Sequence, residues 1–152
     1  NVMEREEYDT LTKLIDEAYK NVRMASFAID SIITKIEDKN LEELLRKQNT
    51  FYLNTTKKIE KLSESFKHKP TDINIFLKGS SFASIKMKTF INNDTSKIAQ
   101  MLIDGTTMGI TEMIKSQKEY PCTNEDLKKI TNNTSNQFTK KYFGKLFINI
   151  SI

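Results

Sequence analysis

Few side chains in this sequence are equipped for chemistry, and each stands apart from the partners such chemistry needs. His68 is the single histidine among 152 residues. It follows Glu64 by four positions, so the two would share one helix face and offer a cation two ligands. A zinc site takes about three or four such ligands. His68 is flanked by Lys67, Lys69 and Pro70, where a histidine is expected to complement the carbonyl end of a helix instead. Cys122, the single cysteine, lies at the approach to an expected helix, a position that favours a thiolate. It has no histidine nearby in sequence to serve as its base. The chain has no glycine-rich phosphate loop, no nucleophile-elbow serine and no HExxH pair. No catalytic, cofactor-binding or metal-ligating residue is therefore assigned, and no cofactor is expected.

Gln48 and Thr55 are a different kind of candidate, because they are polar residues at positions that should face a core. The second helix carries Leu45, Tyr52, Ile59 and Phe66 in one row and Leu41, Gln48, Thr55 and Leu62 in another. Such residues either form half of a buried polar site or pair with each other, with water or with backbone.

The element that must position all of these is the first helix, predicted over 4–37. Tyr8, Ile15, Val22, Ile29 and Ile36 recur seven apart, and Leu11, Ala18, Ala25 and Ile32 form a second row offset by three. A heptad seam sustained this long is a bundle helix, not a strand or a loop. Its carboxylates, Glu4, Glu6, Glu7, Asp9, Asp16 and Glu17, fall mainly off the seam, as solvated charge does. The second helix is predicted over 40–67, with Asn40 as N-cap and Glu43 completing a capping box. The short link makes the pair an antiparallel hairpin. Pro70 ends that pattern. A connection with Ile73, Ile75, Phe76 and Leu77 then leads to a shorter helix predicted over 80–91. A third long helix is predicted over 95–118, capped by Asp94 or Thr95. Its core candidates are Ile98, Leu102, Thr106, Ile110 and Met113. Gly105 and Gly109 inside it imply a close approach of a neighbour, since each glycine costs a helix roughly 1 kcal/mol relative to alanine. The last helix is predicted over 124–143, capped by Thr123 with Asp126. It is unusually polar through Asn132, Asn133, Ser135, Asn136 and Gln137.

Composition agrees with a single all-α domain over 1–152. Four glycines and two prolines leave little material for a turn-rich β fold. One cysteine permits no internal disulfide, which points to a reducing compartment and a cytoplasmic location. There is no run of about eighteen apolar residues and no basic-then-apolar leader, so neither a membrane span nor a signal peptide is expected. The net charge of +4 is uneven. Residues 1–66 hold 11 Lys/Arg against 13 Asp/Glu, whereas residues 67–152 hold 13 Lys against 7 Asp/Glu. A nucleic-acid surface on the second half would need Lys86, Lys88, Lys128, Lys129, Lys140 and Lys141 on one face. The aromatic-with-Lys stretch Phe138 to Phe147 lacks arginine and any recognised binding motif, so core or oligomer packing is the expected use.

The order of parts resembles a ferritin-like four-helix-bundle family of bacterial proteins of unknown function. The likeness rests on the two long antiparallel helices, the short helix opening near Leu77-Lys78-Gly79-Ser80, the turn at Asn92-Asn93-Asp94 and the long helix with Asp104-Gly105. It implies an up-down-down-up bundle with a long crossover, carrying the short extra helix, between the second and third long helices. Ferritin-like enzymes hold two irons with Glu and Glu-x-x-His motifs at mid-bundle. Here that layer offers Ala18, Val22 and Ala25, then Gln48 and Phe51, then Met101, Thr106 and Gly109. The metal site is expected to be absent, and the function to lie in contacts with another protein or with a second copy. The tail Leu146 to Ile152 alternates apolar and polar residues and is expected to dock, preferably across a homodimer. The rival readings are a diverged carboxylate metal protein and a weak, nonspecific nucleic-acid binder.

Overall fold

Ile15, Val22 and Ile29 are completely or almost completely buried, one above the next along a single helix, and Leu11, Ala18 and Ile32 accompany them. In the computed structural model, residues 3–74 and 95–137 are described; four long helices lie among them, and no strand. Helix α1 spans Arg5–Ile32, α2 Lys39–Ser65, α3 Thr95–Glu119 and α4 Glu125–Asn136. No helix among the described residues is long and apolar enough to cross a membrane. The expected short helix over 80–91, the cap at Asp94, the stretch Phe138 to Phe147 and the tail 146–152 lie outside the described residues.

The first helix ends earlier than its heptads suggest. Ile33–Lys35 tightens into a 3-10 turn and Ile36 is extended, at φ −85° and ψ 122°. Ile32, Ile33 and Thr34 are β-branched residues in succession, which are stiff in a helix, and a last turn of 3-10 geometry is a common way to stop. Ile36 still packs into the core, from outside the helix. The cap of α2 is correspondingly not Asn40. Asp38 takes that role, its carboxylate accepting from the Leu41 amide at 2.8 Å, while Glu43 pairs with Lys47. Both residue types cap well, so the choice falls to the site that turns the chain from buried Ile36 back to buried Leu41. Likewise α4 is capped by Asn124, which accepts from the Leu127 amide at 3.0 Å, and not by Thr123, which is exposed.

Two apolar clusters set the direction of every helix. One joins Ile29 and Ile32 of α1 to Leu41, Leu45 and Tyr52 of α2 and to Ile98, Leu102 and Ile103 of α3. The other joins Leu11 to Val22 of α1 to Ile59 of α2, Met113 of α3 and Leu127 of α4. The C-terminal half of α1 thus meets the N-terminal halves of α2 and α3, so both run antiparallel to it. Helix α4 starts beside the N-terminal half of α1 and runs with it. Around the bundle α1 packs on α2 and α3, and α4 packs on the same two. The ends of α1 and α2 are tied by the Tyr8 hydroxyl, which donates to the Phe66 carbonyl at 3.0 Å. Tyr19 donates to Glu60 at 3.3 Å, and burial together with that carboxylate raises the Tyr19 phenol above its ordinary pKa.

The two clusters are separated by a polar belt. Ser26 of α1, Thr55 and Thr56 of α2 and Thr106 of α3 are all buried between them. Two of the belt's hydroxyls are met within their own helix, and a third across the hairpin. Thr55 donates to the Phe51 carbonyl and Thr56 to the Tyr52 carbonyl, each at 2.8 Å. Ser26 donates to Asn49 Oδ1 at 2.7 Å, and the Asn49 amide donates to Asp30 at 2.9 Å.

Candidate functional site

His68 does not meet Glu64. Helix α2 ends in a Schellman arrangement, in which the His68 amide donates to the Ser63 carbonyl and the Lys67 amide to the Glu64 carbonyl. Lys67 occupies the left-handed position at φ 56°. The turn swings the imidazole toward α1, where Nε2 lies 2.8 Å from Asp16 Oδ1. The Thr71 amide also donates to that oxygen, at 3.4 Å. His68 thus bonds the chain leaving α2 to the surface of α1, a structural task; the exposed Glu64 side chain takes no part. Asp16, expected as a solvated carboxylate, is half-buried by this contact.

Cys122 is half-buried beside the second apolar cluster, and burial pushes its thiol above the ordinary range. Its sulfur accepts from the Asn124 amide at 3.3 Å and lies 3.6 Å from the Asn124 carbonyl. The Asn124 amide opposes that rise and does not outweigh burial. A thiol held neutral is a poor nucleophile.

Gln48 is buried, and its Nε2 donates to the Tyr52 hydroxyl one turn along the same helix. It does not meet Thr55. Its Oε1 has no partner among the described residues. Among those residues no three His, Cys, Asp or Glu side chains gather where they could hold a metal ion. At Gly105 the expected close approach is not found: an added Cβ would meet nothing within 4 Å, so no neighbour requires a glycine there.

The feature that sequence reading missed is a groove between α2 and α4, with a cavity volume of about 840 Å³. Helix α2 lines it with Thr55, Lys58, Lys61, Leu62 and Ser65. Helix α4 contributes Asp126, Lys129, Ile130, Asn132, Asn133 and Asn136. Leu62 and Ile130 form its floor and pack against the second apolar cluster. Lys58, Lys61 and Lys129 are exposed on its walls, and none is ion-paired to a carboxylate among the described residues. Asn132 is engaged elsewhere, accepting from Gln117 of α3 at 2.8 Å. The polar run of α4 was the available signal: Asn133 and Asn136 sit on the face that α2 leaves uncovered. Lys58 and Lys61, three apart on α2, are indistinguishable in sequence from any solvated pair.

Of the lysines that a nucleic-acid surface would need on one face, Lys128 lies 3.9 Å from Glu125 and Lys129 faces the groove. Lys86, Lys88, Lys140 and Lys141 lie outside the described residues. Comparison with protein-family models, with curated proteins and with solved structures finds no match to this chain.

Proposed function

We propose that the protein is a non-catalytic, ferritin-like bundle that works in the cytoplasm through contacts with another protein or with a second copy of itself. The observation that carries this reading is the α2–α4 groove, where an apolar floor continuous with the core is walled by three lysines that have no carboxylate partner among the described residues. Such a surface recognises and does not transform. The helix directions support the ferritin-like part: α2 and α3 oppose α1, α4 runs with it, and α2 ends at the opposite end of the bundle from the start of α3. The belt supports the non-catalytic part, because its buried groups Ser26, Thr55 and Thr106 are neutral hydroxyls, whereas a di-iron site needs carboxylates and imidazoles.

Metal analysis of the purified full chain tests the reading against its enzymatic rival. The expected content is far below one transition-metal ion per chain. About two iron or manganese ions per chain, lost on chelation, would overturn it. A second reading, sequence-blind nucleic-acid binding, draws on the same lysines. It is the weaker, since neither arginine nor an aromatic ring lines the groove among the described residues.

A further inference from the structure

We infer that the α2–α4 groove is a docking site for an acidic amphipathic helix of a partner protein. This rests on the protein-contact reading above and names the partner's chemistry. The groove runs from Thr55 to Ser65 on one wall and from Asp126 to Asn136 on the other. At about 1.5 Å per helical residue each wall is roughly 15 Å long, the length of about three helical turns. A cavity volume of about 840 Å³ over that length is far more than a single phosphate or carboxylate uses. Two parallel-sided helices with an apolar strip between them leave the shape that a third helix fills in a bundle.

Charge selects which helix. Lys58 and Lys61 on α2 face Lys129 on α4, and Asp126 is the one carboxylate among the described lining residues. A helix with aliphatic residues on one stripe would rest on Leu62 and Ile130. Glu or Asp flanking that stripe at spacings of three and four would reach the lysines on both sides. The Asn133 amide supplies both a donor and an acceptor to the helix's polar edge. A basic or neutral amphipathic helix would leave the lysines opposed or unmet, so the wall charge rejects it as well as attracting the acidic one. Single-stranded nucleic acid fits less well, because its bases need aromatic or arginine platforms and would find an aliphatic floor.

The test uses the full chain and an acetylated, amidated synthetic peptide of about twelve residues, with a Leu stripe flanked by Glu. Binding is followed by fluorescence anisotropy at about 50 and 150 mM salt. Expected is one peptide per chain, at least roughly tenfold weaker binding to the Lys58→Glu/Lys129→Glu protein, and loss of binding when the peptide's Glu are replaced by Gln. Both lysines are exposed, and an unchanged melting temperature shows that the double variant is folded. The inference is overturned if parent and variant bind alike, if neither binds, or if a scrambled peptide of the same composition binds as well. It is equally overturned if an oligo(U) strand binds tighter and responds to the same reversals. A fall in solution mass of the free protein on charge reversal would assign the groove to a second copy. Failure of the peptide with a metal-free protein refutes this partner alone, whereas stoichiometric metal refutes the reading beneath it.

Discussion

The Cys122 thiol shows how far a residue's chemistry depends on what surrounds it. In sequence it stands at a helix approach, a place that lowers a thiol's pKa; in the fold, burial outweighs the Asn124 amide and raises it. Alkylation by iodoacetamide at pH 7 should therefore be slower than that of free cysteine, with its pH–rate inflection displaced upward. An inflection below the ordinary thiol value would contradict the placement. A folded-state pKa above the unfolded one contributes stability that is complete below the unfolded pKa and is lost as pH rises through the folded one. His68 depends on context through its partner instead. Its position at a helix end was legible, but its partner was not, since Asp16 lies 52 residues earlier and is brought to 2.8 Å only by the hairpin and the turn at Lys67.

At the scale of elements, the heptads of α1 and α2 and the three-and-four spacing of α3 located the helices, and the boundaries needed the fold. Asp38 and Asn124 cap where Asn40 and Thr123 were expected, because several adjacent residues could cap and the core decides where each helix must begin. Gly105 is the sharpest case. Glycine inside a helix implies a crowded neighbour, yet this one is exposed with open space around it. Gly105→Ala should therefore raise stability by about 0.5–1 kcal/mol and the melting temperature by roughly 2–4 °C. Thermal unfolding checks it; a lower melting temperature would mean that the position is covered after all.

For the whole molecule, the polar belt between two apolar clusters is the principal departure from an ordinary bundle core. Burying a polar atom without a partner costs about 1–3 kcal/mol, and Gln48 Oε1 is such an atom among the described residues. Turning the amide over would exchange which of its two ends is left unmet. Gln48→Met removes that unmet oxygen together with the amide that donates to the buried Tyr52 hydroxyl, so the two effects oppose each other and stability to urea should change by no more than about 1 kcal/mol, with an unchanged m-value. A loss of more than about 2 kcal/mol would show that the amide is satisfied and belongs to a network that holds the core together.

The sequence by itself determined that α1, α2 and α3 are long helices and the main faces they bury, because a seven-residue repeat in α1 and α2, and apolar residues three and four apart in α3, leave a helix one way to hide its apolar stripe. It also determined that Gln48 and Thr55 would be buried despite their polarity. The tertiary structure decided where the stripes diverge. Helices α2 and α4 share a core at Ile59 and Leu127 and leave Leu62 and Ile130 at the edge of that core, so that a groove opens beneath three lysines. Whether two helix faces close or leave a groove depends on how they are placed across the bundle, and periodicity along one chain segment carries no information about the distance to another.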